Sequence, residues 1–255
     1  MKCELEDIML EAGRRMLAYA HPAVHEKAGH ANFVTEADVA TQGYLMEALT
    51  RRWPGARFYA EEEEAHCLTA GLTFVIDPID GTTNYMRGRR ASTISVGAVE
   101  NGRAVFGAVL DPYHGELYHA ARGKGAYLGD VRLHVSDMPF DNALICLGTS
   151  PYEESLVDVT ASCAAAVMRA CADLRRTGSA ALDLCDVAAG RCEGAFEWIL
   201  QPWDYCAGSL LVEEAGGRTG CITGGETVFD HGIPFMSGSA RCFEPLRRLL
   251  QDCAG

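Results

Sequence analysis

The stretch that decides the fold is Leu72-Thr-Phe-Val-Ile-Asp-Pro-Ile-Asp-Gly-Thr-Thr-Asn84, in which an apolar run leads into two carboxylates and then into a helix-start signal. Leu72 to Ile76 is short and rich in β-branched residues, which predicts a buried strand. Pro78 has no N–H for a sheet ladder, so we expect the chain to turn there. Gly81 and the threonines after it supply a flexible link and N-caps for a helix. The prediction is strand, acidic turn and helix.

The two carboxylates of this turn are candidate ligands for a metal ion. The side chains of Asp77 and Asp80 and the main-chain carbonyl of Ile79 are oxygen ligands that suit a hard cation, while the first N–H groups of the next helix suit an anion. A metal ion and a phosphate group are therefore predicted side by side. The alternative is that both aspartates are ordinary turn residues. An aspartyl-nucleophile phosphatase is a further alternative, but its Asp-x-Asp spacing differs from this one.

Composition places the chain among globular proteins. Its 255 residues are 48% apolar, which allows one large core or two modest domains. The first residues are acidic, and no apolar run reaches the ~18 residues of a membrane span, so we expect a soluble protein of the cytoplasm. The eleven cysteines include no Cys-x-x-Cys pair and are interpreted as reduced core residues.

Net charge limits the partners. A formal charge of −13 opposes binding to nucleic acid, because no basic face is available to displace counterions from phosphates. An acidic protein that binds a phosphorylated metabolite must neutralise the phosphate locally, and divalent cations held by carboxylates do this. We therefore expect a small phosphorylated partner, and neither a nucleic acid nor a membrane.

Other segments of the N-terminal half carry further candidate ligands. Thr35 and Asp38 precede or open a helix, and capping alone explains both. Glu61 to Glu64 follow a short strand that begins at Phe58. Such a charge run is usually a solvated face, although one of its glutamates is available as a bridging ligand. Lys27 is interpreted as a solvated loop charge.

A change in the sequence pattern near residues 137–141 predicts a boundary between two structural parts. The first is an α+β part over residues 1–140 and the second an α/β part over 141–255. Upstream of it, Asn101-Gly102 predicts a hairpin. Downstream, Ser179 is an N-cap candidate at a helix start that suits an anion. Asp204 opens another helix, where an N-cap role and a metal role are both open.

Taken together, these segments resemble the inositol monophosphatase family, within the lithium-sensitive, magnesium-dependent phosphatases. The motifs that carry the resemblance lie in the family's order, from about Lys27 to Gly217, and are Val34-Thr-Glu-Ala-Asp38, Ala60-Glu-Glu62, Asp77-Pro-Ile-Asp-Gly-Thr-Thr-Asn84 and Trp203-Asp-Tyr-Cys-Ala-Gly208. The chain departs from the pattern at Ala60, where glycine is usual, and at Cys206, where alanine is usual. Neither change removes a ligand, so both are interpreted as packing changes.

The resemblance implies a layered αβαβα sandwich of the sugar-phosphatase type, usually paired as a homodimer. It also implies two or three Mg²⁺ ions as cofactors. The first ion would be held by Glu61, Asp77 and the carbonyl of Ile79. The second would be held by Asp77, Asp80 and Asp204, with Asp77 bridging the two.

The resemblance also assigns roles around these ions. The catalytic set is Thr82, Asp38 and Glu61, in which Thr82 and Asp38 orient the attacking water. The backbone N–H groups of Gly81 and Thr82 would bind the phosphate, and Lys27 matches a lysine at the edge of the metal site. The residues expected to contact substrate are Asp80, Gly81, Thr82, Ser179, Ala180, Glu197 and Asp204.

The implied activity is Mg²⁺-dependent hydrolysis of a phosphate monoester by metal-activated water, with no covalent intermediate. Glu197 lies seven residues before Asp204, the spacing of a glutamate that binds a ring hydroxyl in the inositol enzymes, which favours myo-inositol monophosphate. A surface role for Glu197 is the alternative. Relatives with the same metal core act on histidinol phosphate, fructose 1,6-bisphosphate, 3′-phosphoadenosine 5′-phosphate or NADP. A non-catalytic metal-binding interaction module is the alternative from another class.

Overall fold

The computed structural model describes residues 2–19, 23–26, 33–63, 68 and 71–254. In this part of the chain the helices are α1 (Lys2–Ala18), α2 (Glu36–Arg52), α3 (Thr82–Met86), α4 (Val157–Ala170), α5 (Ala180–Ala188), α6 (Pro202–Glu214) and α7 (Phe243–Ala254). The strands are β1 (Val24–Glu26), β2 (Phe33–Thr35), β3 (Arg57–Ala60), β4 (Leu72–Asp80), β5 (Thr93–Glu100), β6 (Arg103–Asp111), β7 (Glu116–Ala121), β8 (Gly125–Leu128), β9 (Val131–Arg132), β10 (Leu144–Leu147), β11 (Asp173–Arg175), β12 (Gly194–Leu200), β13 (Arg218–Cys221) and β14 (Ile233–Gly238).

The larger sheet contains the strands from β3 to β9 in chain order. β3 pairs with β4 in parallel, and each later pair of neighbours is antiparallel. The predicted hairpin joins β5 to β6, where Asn101 and Gly102 have φ values of 51° and 76°. Both residues have a left-handed backbone conformation, which a tight turn that matches the twist of the two strands requires.

The smaller sheet has the strand order β11-β10-β12-β14-β13. β10 is parallel to both of its neighbours, whereas β14 is antiparallel to β12 and β13. β1 and β2 form a separate antiparallel pair. All strands of the larger sheet end by residue 132, and all strands of the smaller sheet begin at residue 144 or later, so each half of the chain builds one sheet.

The two sheets and the helices form alternating layers. Helices α1 and α2 pack on the outer face of the larger sheet, α5 and α6 lie between the sheets, and α4 and α7 pack on the far face of the smaller sheet. β4 shows the alternation that separates two of the cores: Phe74 and Ile76 join the outer core, while Val75 joins the core around α5 and α6. Successive strand residues point to opposite faces. The αβαβα sandwich is confirmed.

The turn predicted at Pro78 is wrong. β4 continues to Asp80, which pairs with Thr93, and the register shifts between Asp77 and Asp80. The shift leaves Pro78 outside the regular ladder, where the missing N–H is tolerated. Within this irregularity the N–H of Ile79 donates to Oδ1 of Asp77 at 3.0 Å. The acidic residues therefore lie within a bulged strand end rather than a turn.

Two helices begin earlier than predicted. Helix α2 starts at Glu36 because Thr35 is its N-cap, and Asp38 lies at the third helical position. Helix α6 starts at Pro202 after the cap residue Gln201, so Asp204 is likewise a third-position residue. Strand β14 and helix α7 were not predicted. Leu246 and Leu250 of α7 are fully buried against α4 and the smaller sheet.

Small residues let the central helix α6 approach the larger sheet closely. A Cβ added to Gly107 would lie 2.7 Å from the carbonyl oxygen of Ala207, and one added to Gly97 would lie 2.4 Å from Sγ of Cys206. Cys206 is itself fully buried, in keeping with a packing role for this departure from the family pattern. The close contact places the first turn of α6, with Asp204, beside the end of β4.

None of the described helices has the length and apolar character that a membrane crossing needs. The predicted core role of the cysteines is confirmed for seven that are buried, Cys146, Cys163, Cys171, Cys185, Cys192, Cys206 and Cys242, whereas Cys221 and Cys253 are only partly buried.

Candidate metal centre

Three carboxylates from distant parts of the chain meet at one point. One ligand oxygen from each of Asp77, Asp80 and Asp204 lies within 4.8 Å of the others. The two aspartates of β4 are 2% and 9% exposed, and Asp204 reaches them from the first turn of α6. Among the described residues this is the group of side chains arranged to hold a metal ion.

Asp80 is held by the start of helix α5. The hydroxyl of Ser179 and the N–H of Ala181 each donate to Oδ2 of Asp80 at 2.6 Å, and Ser179 is the N-cap of α5. A helix N-terminus favours a negative charge. The anion at this predicted anion contact is therefore the carboxylate of Asp80. Contacts from Ser179 and Ala180 to substrate remain predictions.

Asp204 caps helix α6 and also reaches the other two aspartates; its metal role remains a prediction. The N–H of Gln201 donates to Oδ2 of Asp204 at 2.7 Å, which forms half of a capping box at the start of α6. The same carboxylate contributes an oxygen to the three-aspartate group. Capping therefore holds this side chain close to the other two carboxylates, and it is compatible with a role as a metal ligand.

The electrostatics of the group call for a cation. Burial raises the pKa of Asp77 and of Asp204 well above the ordinary range, and the neighbouring carboxylates, including that of Glu61, raise both further. Burial also raises the pKa of Asp80, although its hydrogen bonds oppose the rise. Buried like charges are costly unless a proton or a cation neutralises them. A set of carboxylate oxygens fits Mg²⁺, which prefers hard oxygen ligands.

Glu61 and Ile79 border this group. Glu61 follows β3, its backbone N–H donates to the carbonyl of Ile76 at 3.1 Å, and the residue lines the same cavity as the three aspartates. Its side chain lies outside the set whose oxygens fall within 4.8 Å. The carbonyl of Ile79 lies 3.1 Å from the hydroxyl of Thr82. Ligand roles for Glu61 and Ile79 remain predictions.

Thr82 and Asp38 lie together, as the resemblance implies. The hydroxyl of Thr82 is 3.2 Å from Oδ1 of Asp38. The other oxygen, Oδ2, accepts the backbone N–H of Thr35 at 2.8 Å. Because the two oxygens have different partners, Asp38 both caps α2 and reaches the site. Burial raises its pKa.

Gly81 shapes the anion side of the site. Its φ of 88° is left-handed, and a Cβ there would lie 3.0 Å from the carbonyl oxygen of Gly178. Both the conformation and the space require glycine. Gly81 and Thr82 line the cavity, which places the start of α3 beside the three carboxylates.

The cavity has a volume of about 670 Å³ and is bounded by both halves of the chain, a size suited to a small molecule. From the second half of the chain its lining includes Glu197 and Tyr152. Burial raises the pKa of Glu197 to about 7. Lys27 lies outside the described residues, as does Glu64.

Two residues of this region were missed by sequence reasoning. The side-chain amide of Asn84 donates to the carbonyls of Ala91 and Thr177, at 2.8 and 2.9 Å, and so ties the site loop to the second half. Ser150 hydrogen-bonds Glu197. Asn84 closes the family motif, which was an available signal. Ser150 had none, because its partner lies 47 residues away.

Comparisons with known proteins show the family of the chain. The model of a family described as the inositol monophosphatase family matches residues 4–252. The chain is 35% identical to "Nus factor SuhB" of Salmonella typhimurium over 88% of the chain and 84% of that protein. It is 33% identical to "Inositol-1-monophosphatase" of Bacillus subtilis over 90% of the chain and 88% of that protein.

A solved structure extends the likeness to three dimensions. The extragenic suppressor protein suhB from Bartonella henselae superposes with a TM-score of 0.91 at 31% identity, covering 98% of both chains.

Proposed function

Because the chain belongs to the inositol monophosphatase family, we propose that it hydrolyses a small phosphate monoester, with Mg²⁺ as cofactor and without a covalent intermediate. The observation that carries the proposal is the convergence of Asp77, Asp80 and Asp204 on one cavity wall. Thr82, at the start of α3, lines the same cavity and hydrogen-bonds Asp38. Carboxylates for metal and backbone donors for phosphate are thus side by side.

Phosphate monoesters resist hydrolysis because their negative charge repels a nucleophile and the alkoxide is a poor leaving group. Mg²⁺ held by the three aspartates would neutralise that charge, lower the pKa of water and stabilise the departing oxygen. Thr82, held by Asp38, orients the attacking water. The N–H groups of Gly81 and Thr82 bind phosphate oxygens, and Glu197 accepts a hydroxyl of the leaving alcohol.

The experiment is release of inorganic phosphate from a panel of monoesters, measured with Mg²⁺, with EDTA, and with Mg²⁺ plus Li⁺. The panel contains myo-inositol 1-phosphate, histidinol phosphate, fructose 1,6-bisphosphate, 3′-phosphoadenosine 5′-phosphate and NADP. We expect Mg²⁺-dependent release, highest with the inositol ester because of Glu197, and inhibition by Li⁺. A folded protein that hydrolyses none of them would contradict the proposal.

The variant that tests the site is Asp80→Asn. The substitution keeps the shape and one acceptor oxygen for Ser179 and Ala181, so the fold should persist, but it removes the charge that a cation needs. We expect phosphate release to fall by at least about 100-fold, as for other essential electrostatic groups. The matched control is Asp252→Asn, exposed on α7, which should retain activity. Near-normal turnover of Asp80→Asn would discard the site.

A second candidate function is non-catalytic. The Salmonella relative carries the name "Nus factor SuhB", which names no hydrolase activity, so a metal-binding interaction module is the alternative. Binding of Mg²⁺ without turnover of any ester in the panel would favour it.

We also propose that the protein is a homodimer, by analogy with the family's usual assembly. Light scattering on the purified chain would measure a mass of twice 27.5 kDa if this is correct, and the monomer mass if it is not.

A further inference from the structure

Ser150 has a backbone conformation that serine rarely adopts. Its φ is 39°, in the left-handed region, and the residue is only 1% exposed. Such a conformation costs free energy in a non-glycine residue and persists where the surrounding structure holds it, often at functional sites. The conformation turns both hydrogen-bond donors of Ser150 toward one neighbour, the carboxylate of Glu197.

The contacts between these residues are short and convergent. The backbone N–H and the hydroxyl of Ser150 each donate to Oε1 of Glu197 at 2.8 Å. The carbonyl of Ile199 is a longer alternative acceptor for the hydroxyl, at 3.3 Å. Among the described residues, the donors to this carboxylate come from Ser150 and both reach Oε1. Oε2 therefore remains available as an acceptor.

Gly148 provides the space for the second oxygen. A Cβ added there would lie 1.8 Å from Oε2 and 2.2 Å from Cδ of Glu197, so the carboxylate fills the volume in which any other side chain would begin. The register between β12 and β14 also shifts after Glu197, as a bulge that re-aims a side chain does. The carboxylate is therefore held by Ser150 against Gly148, at the wall of the cavity that the three aspartates also line.

We propose that Ser150 is a positioning residue, which holds the carboxylate of Glu197 so that Oε2 accepts a hydroxyl group of the substrate. The inference rests on the proposed function, which already assigns a substrate hydroxyl to Glu197, and it adds the residue that sets the direction of that carboxylate. An ester without a free hydroxyl has nothing to donate to Oε2, so its hydrolysis does not depend on this contact. Ser150 itself acts through Glu197 rather than on the reacting atoms. Its two hydrogen bonds oppose the rise in the pKa of Glu197 that burial causes, which favours the charged acceptor.

The test compares two esters and three variants. Myo-inositol 1-phosphate carries hydroxyls and phenyl phosphate carries none, so the second ester reports the metal site alone. Ser150→Gly removes the hydroxyl but suits the left-handed backbone and keeps the N–H. Glu197→Gln and the double variant complete a cycle. Thermal unfolding of each variant verifies that it is folded.

For Ser150→Gly we expect KM for the inositol ester to rise about tenfold, since a hydrogen bond to a charged group is lost. Its kcat, and both constants for phenyl phosphate, should stay within about twofold, as loss of binding without loss of catalysis predicts. The double variant should match Glu197→Gln, because the two residues act through one contact.

Equal KM increases for both esters would overturn the proposal, and so would effects of the two substitutions that simply add. If wild-type protein hydrolyses both esters and Ser150→Gly leaves KM for the inositol ester unchanged, the positioning role fails and the proposed function stands. If wild type hydrolyses neither ester, both fail together.

Discussion

At the scale of single residues, three acids of the site each use one carboxylate oxygen to bind the start of a helix. Asp38 uses one oxygen for Thr35 and the other for Thr82. Asp80 uses Oδ2 for the start of α5, and Asp204 uses Oδ2 for Gln201. Hydrogen bonds to the charged form offset part of the cost of burial. The remaining repulsion makes stability sensitive to pH.

Asp183 of α5 is the residue at which this sensitivity is best tested. It is 5% exposed, accepts a hydrogen bond from Thr177 at 2.7 Å, and has a pKa that burial raises to about 8. The folded protein therefore holds this proton more tightly than the unfolded chain. The stabilisation is complete below the ordinary carboxyl pKa and is lost as pH rises from there through about 8.

We expect the free energy of unfolding in EDTA to fall between about pH 6 and about pH 8.5, and Asp183→Asn to reduce that fall by on the order of 2 kcal/mol. The asparagine can still accept the hydrogen bond from Thr177 but has no proton to lose. Urea unfolding at the two pH values measures the difference. Asp252→Asn should leave it unchanged, and an Asp183→Asn protein with the wild-type pH dependence would contradict the prediction.

At the scale of elements, helix α6 carries Asp204 and packs against the sheet through glycines. Gly107 of β6 faces the backbone of Ala207, which cannot move as a flexible side chain does. The position of Asp204 therefore depends on the distance between α6 and the larger sheet, and hence on residues remote from the site.

Gly107→Ala tests this dependence. The new Cβ would lie 2.7 Å from the carbonyl oxygen and 2.9 Å from Cα of Ala207, so α6 must shift. We expect a loss of about 1–3 kcal/mol in stability, as for other overpacked sites, and weaker binding of Mg²⁺ in a calorimetric titration. An unchanged affinity for Mg²⁺ would contradict the prediction that the metal site depends on the position of α6.

The matched control is Gly43→Ala on the exposed face of α2, where the added Cβ would meet no atom within 4 Å among the described residues, apart from the neighbouring residues and backbone of its own helix. It should stabilise the protein by up to about 1 kcal/mol, through helix propensity alone.

At the scale of the whole molecule, the site joins the two halves. Asp77 and Asp80 belong to the larger sheet, whereas Ser179, Ala181 and Asp204 belong to the second half of the chain. We propose that the halves 1–140 and 141–255 unfold together, since a ligand held by both stabilises their contact. Binding to the folded state alone raises stability by mass action.

Mg²⁺ should therefore raise Tm in a single transition. At about 100 times the dissociation constant the gain is about 2.7 kcal/mol. Differential scanning calorimetry with and without Mg²⁺ measures it. Asp204→Asn should lose the shift because it removes a carboxylate of the three-aspartate group, while Asp252→Asn should keep it. A wild-type Tm that does not respond to Mg²⁺ would refute the coupling.

Sequence reasoning predicted much of the fold from local patterns. β4, the β5–β6 hairpin and helix α5 were predicted because apolar periodicity and turn residues are properties of neighbouring residues. The layered architecture was predicted from the resemblance to the family. The turn at Pro78 was wrong, since a register shift depends on the pairing strand β5.

The sequence by itself determined which residues are acidic, which are glycine and in what order the motifs occur, and so it determined the family. Only the tertiary structure decided that Asp80 binds the start of α5, 99 residues from Ser179, and that Ser150 hydrogen-bonds Glu197. Contacts of this kind form where the layers stack and strands end. They follow from the packing of the two sheets around α5 and α6, which no local pattern encodes.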